Sequence, residues 1–126
     1  MITVKADPAR NVLIIAVEEP WTVEEAMGVP ARIQQEVAKL RPGFALGFDV
    51  ANVGVLDQGK THLVSAPMHL WEGLGCGKIG TLYKSAVQEL QLVRLAKEAG
   101  LTIERKRFTD RAEWEAYLSQ PAAHAA

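Results

Sequence analysis

The sequence predicts an α/β fold, a single domain with a mostly parallel five-stranded sheet and helices in the order ββαβαβαβα. Three observations lead there. Short apolar, β-branched runs alternate with longer stretches of helical periodicity, as expected of strands joined by right-handed crossovers. The chain has 126 residues, enough for one core and too few for two ordinary domains. A 48% hydrophobic and 23% charged composition is that of a folded protein rather than a disordered one.

Ile2 to Lys5 reads as a first extended stretch, and Asp7-Pro8 with Arg10-Asn11 supplies the residues of a tight reversal. The run from Val12 to Val17 is apolar at every position, so it is expected to be a central strand covered on both faces. Thr22 is placed to cap a helix, with Glu24 and Glu25 in its first turn. Pro30 lacks a donor N–H, and a kink or break is expected near Gly28. Phe44 to Val50 reads as a second buried strand, parallel to the run from Val12 and adjacent to it.

A loop and a helix from about Gln58 to Glu72 follow, which Pro67 is expected to bend or divide. Cys76 to Lys84 is the next strand, and Ser85 caps a helix reaching Ala99, with Ala86, Leu90, Val93 and Ala96 read as its inner side. Leu101 to Phe108 is the last strand, and Thr109 or Asp110 caps a final helix carrying Trp114, Tyr117 and Leu118 on one face. Residues 1–118 are expected to form the domain and 119–126 a flexible tail.

Composition excludes several function classes. A net charge of −1 lacks the basic excess of a nucleic-acid binder. No apolar run approaches the ~20 residues of a membrane span, and a cytoplasmic location is the expectation. Cys76 is alone, so a disulfide framework is out of reach, and it reads as a small buried hydrophobe; a reactive thiol needs a positive neighbour such as Lys78. His62 and His69 share a helical face but lie about 10 Å apart along the axis, too far for one metal ion. The glycines of WEGLGCGKIG follow a helix and precede a strand, the reverse of a dinucleotide loop. Arg105-Lys106-Arg107 reads as a charged, protected edge strand. No cofactor, metal or enzymatic activity is called for by these residues.

The element order and the segment FDVANVGVLDQG resemble the STAS-like, anti-anti-sigma-factor-like domains, and the likeness runs from Ile2 to about Leu118. In that family the third strand ends in an aspartate, which Asp49 resembles, and a second aspartate opens the next helix, which Asp57 resembles. Where regulatory members carry a phosphorylated hydroxyl, this chain has Gln58 and Gly59, and the nearest hydroxyl is Thr61. The resemblance implies a bacterial, non-catalytic interaction module, regulatory or scaffolding, that docks another protein, or its own copy as a homodimer, through Asp49, Asn52, Asp57, Gln58, Lys60 and Thr61 without phosphoryl switching. The alternative is a small apolar-ligand or lipid carrier, with Met68, Trp71 and Leu74 around Pro67 as its candidate ligand contacts.

Overall fold

The opening hairpin forms where its turn residues allow. In a computed structural model, which describes residues 1–54 and 62–120 apart from the side chains of 65, 66 and 69, β1 (Ile2–Asp7) runs antiparallel to β2 (Val12–Glu18) with Ile2 opposite Val17. Asn11 takes the left-handed conformation that closes the turn, at φ 57°. Its side chain accepts from the Arg41 N–H at 2.8 Å and donates to the Arg41 carbonyl at 3.3 Å, tying the hairpin to the segment that enters the next strand.

The remaining strands, β3 (Ala45–Asn52), β4 (Lys78–Leu82) and β5 (Glu104–Phe108), follow β2 in parallel, and the spatial order is the chain order. As expected, β2 and β3 are neighbours inside the sheet. Right-handed crossovers that always step in one direction put every connecting helix on one face. That face carries α1 (Val23–Met27), α2 (Val29–Val37), α3 (His62–Gly73) and α4 (Ala86–Glu98). The last helix, α5 (Arg111–Ser119), covers the other face, against β3, β4 and β5.

Strand alternation sorts the two cores. Leu13, Ile15, Leu46, Phe48, Val50 and Ile79 face the four-helix layer, whereas Val12, Ala45, Leu82 and Phe108 face Trp114 and Leu118 of α5. Two glycines in register, Gly47 on β3 and Gly80 on β4, make room for that helix. A Cβ on Gly47 would lie 2.6 Å from a Leu118 methyl, and one on Gly80 would lie 3.0 Å from the Tyr117 ring. The Trp114 indole donates to the Gly80 carbonyl at 2.8 Å, so the close approach also satisfies a buried N–H.

The break near Gly28 is present. Thr22 and Glu25 form a reciprocal capping box on α1, Gly28 ends that helix and starts α2, and Pro30 sits in the first turn of α2, where its missing donor costs nothing. Pro67, in contrast, does not divide its helix: α3 is one element through it. Ser85 caps α4 as expected, accepting from the Gln88 N–H at 3.2 Å. The face expected of α4 is corrected: Leu90 is 68% exposed, and Val87 and Val93 also face outward, while Gln88, Leu95 and Ala96 are buried.

Both sheet edges are protected. The outward N–H groups of Ile2 and Ala6 on β1 donate to Glu25 at 3.0 Å and Glu36 at 2.9 Å, and Arg32 donates to the Ile2 carbonyl at 2.8 Å. The helix pair α1–α2 thus supplies the partners a further strand would use. On the far edge Arg105, Lys106 and Arg107 are exposed along β5, and Arg107 pairs with Glu89 of α4 at 3.1 Å. The helical end of the chain is held by Lys78, whose buried ammonium donates to the carbonyls of Tyr117 and Gln120, each at 2.6 Å. Desolvation lowers the pKa of that ammonium below its ordinary value. The expected tail therefore overlaps α5 at Ser119 and an anchored Gln120, and its remaining residues lie outside the described residues.

Candidate functional site

The four-helix layer does not fill the space above the sheet. A cavity of about 490 Å³ lies between the carboxyl-terminal halves of β2 and β3 and the helices α1, α2, α3 and α4. That is the carboxyl end of the parallel strands, the end at which open α/β proteins place their ligands. The size falls within the range of small-molecule sites, roughly 300–1,000 Å³.

The floor comes from the sheet, where Ile15 and Val17 of β2 and Phe48 and Val50 of β3 turn alternate side chains upward. Ala26 and Val29 close one side, on either side of the Gly28 break, and Leu63, Val64, Pro67 and Trp71 of α3 close another. The helix break matters here, because it allows two short helices to bend around the cavity where one straight helix could not. Leu92 and Leu95 of α4 complete the wall. Exposed Glu19, Pro20 and Gly54 form the rim, and a Glu19 oxygen accepts the Gly54 N–H at 3.2 Å, joining the ends of β2 and β3 there.

Polar groups in the wall are few. Gln88 is 4% exposed and donates to the carbonyls of Val50 at 2.5 Å and Val53 at 3.2 Å, while its own oxygen accepts the Lys84 N–H at 2.8 Å. This amide has a structural duty, fixing the start of α4 to the end of β3. Trp71 stacks edge-on against Phe48, with centroids 5.8 Å apart. Its indole nitrogen is, among the described residues, the one buried side-chain polar atom without a hydrogen-bond partner. Buried donors are ordinarily satisfied, so this one marks where an acceptor is missing.

The residues singled out from sequence scatter. Trp71 lines the cavity, but Met68 is buried in the neighbouring core and Leu74 follows α3 outside the wall. Asp49 points to the opposite face of the sheet, since its neighbours Phe48 and Val50 face the cavity. Its carboxylate accepts the Ala51 N–H at 3.1 Å and pairs with Arg111 of α5 at 3.0 Å. Asn52 is exposed at the end of β3. Asp57, Gln58, Lys60 and Thr61 lie outside the described residues. Sequence reading missed Glu19, Pro20 and Gln88 as parts of one site. Pro20 and Trp21 immediately after a central strand were the available signal.

Other chemistry is accounted for. Burial pushes the Cys76 thiol up to about 12, and its sulfur donates to the Lys78 carbonyl at 3.3 Å; the Lys78 ammonium is engaged with the end of α5, so no cation activates the thiol. Among the described residues no group of three or more His, Cys, Asp or Glu side chains is placed to hold a metal ion. No helix among them is long and apolar enough to cross a membrane. No family model matches the chain, and no curated protein or solved structure matches it.

Proposed function

We propose that this chain is a non-catalytic binding protein that carries a small apolar ligand in the cavity beneath α1, α3 and α4. The observation that carries the reading is the wall itself: about 490 Å³ of space lined mainly by aliphatic, aromatic and proline side chains, with the amides Gln88 and Gln91 and, as the single ionisable residue among the described lining residues, Glu19. A well-packed interior has few voids larger than a water molecule, so an opening of this size facing apolar groups favours occupation by something other than water.

The strand order and helix order support a STAS-like family reading, which stays a proposal. Docking to another protein through the Asp49 region takes second place, since Asp49 is already engaged by Arg111 and Ala51 and faces away from the cavity.

Titration with N-phenyl-1-naphthylamine, a neutral apolar fluorophore, tests the carrier. Saturable enhancement with one site per chain is expected, abolished in Val50→Phe or in the milder Ala26→Leu, each first shown to fold by circular dichroism. Absence of saturable binding, or undiminished binding in both folded variants, overturns the reading.

A further inference from the structure

The cavity has a polarity, and it constrains the ligand's head group. The inner wall, formed by Ile15, Phe48, Val50, Trp71 and Leu95, consists of buried, uncharged side chains. Glu19 stands at the rim, held by the Gly54 N–H, and is the only ionisable side chain among the described residues of the lining. A ligand whose apolar body enters the deep end leaves its head beside that carboxylate. Such a head is favoured when it donates a hydrogen bond and disfavoured when it is an anion, because like charges in proximity repel.

We infer that the site selects an alkyl-type molecule ending in a hydrogen-bond donor, an alcohol or an amine, and discriminates against the carboxylate of equal length. This rests on the carrier reading above. A chain of about ten carbons fits, since its volume, at roughly 27 Å³ per methylene, is well within the cavity's 490 Å³.

Three probes sharing one body separate the possibilities: 1-decanol, decylammonium and decanoate, each displacing N-phenyl-1-naphthylamine at low ionic strength, where an exposed charge is least screened. Decanol and decylammonium should bind up to about fivefold more tightly than decanoate, the size expected for an exposed charge interaction. Glu19→Gln keeps an acceptor for the Gly54 N–H while removing the charge, and it should bring decanoate up toward decanol and weaken decylammonium. Added salt should narrow the wild-type gap in the same direction. If decanoate binds as well as decanol, or if Glu19→Gln leaves the ranking unchanged, the head-group assignment is overturned and the cavity reading stands. If none of the three displaces the fluorophore and the fluorophore itself fails to bind, both fall together.

Discussion

Gln88 of α4 donates its side-chain amide to the Val50 carbonyl of β3 at 2.5 Å, pinning the fourth helix to the sheet at the head of the cavity. The same amide reaches the Val53 carbonyl and accepts from Lys84, so one buried polar side chain serves three main-chain groups. Replacing it by leucine keeps the size and removes the bonds. Gln88→Leu should therefore cost about 1–3 kcal/mol of stability, read from the urea midpoint, because buried main-chain groups lose their partners. Ligand affinity should fall with it, since α4 supplies part of the wall.

Gly47→Ala tests the opposite face. The added methyl would meet Leu118 at 2.6 Å and Ile14 at 2.8 Å, so α5 must shift or its side chains must leave their rotamers. Overpacking of this kind costs about 1–3 kcal/mol. Because the cavity lies across the sheet, folded Gly47→Ala protein should bind N-phenyl-1-naphthylamine with unchanged affinity, a separation that denaturation and titration together would show.

How much of this was legible in the sequence follows from what each residue has to satisfy. The run from Val12 to Val17 announced a strand covered on both faces, and Gly28 with Pro30 announced a helix break, because both are local consequences of side-chain chemistry. The face of α4 was misread for a physical reason. Ala86, Leu90, Val93 and Ala96 have sound helical spacing, but the core position at 88 holds a glutamine whose partners are carbonyls 38 and 35 residues away. A polar residue satisfied by long-range contacts disguises the inner face. The cavity was hidden for a related reason: its wall combines residues from three strands and four helices, and among the sequence candidates that the structure describes only Trp71 belongs to it.

Acid should loosen the β1 edge. The Ile2 N–H beside Glu25 holds that carboxyl below its ordinary 4.5, and Lys39 followed by the Ala6 N–H does the same for Glu36. Carboxyls with depressed folded values contribute stability that is fully present above about pH 4.5 and is lost as pH falls through those lower values. The urea midpoint should thus decline as pH falls below about 4.5, and the double variant Glu25→Gln, Glu36→Gln should show a shallower decline. An equally steep decline in the variant would place the acid sensitivity elsewhere.

The central claim is that an apolar ligand occupies the space over β2 and β3, and the three tryptophans report on it directly. Trp21 and Trp71 line the cavity, whereas Trp114 lies across the sheet with its indole bonded to Gly80. In a ¹H–¹⁵N spectrum of labelled protein titrated with 1-decanol, the indole signals of Trp21 and Trp71 should move saturably while that of Trp114 stays in place. If all three stay still at saturating decanol, or if Trp114 moves as far as Trp71, the cavity is not the binding site and the account is contradicted.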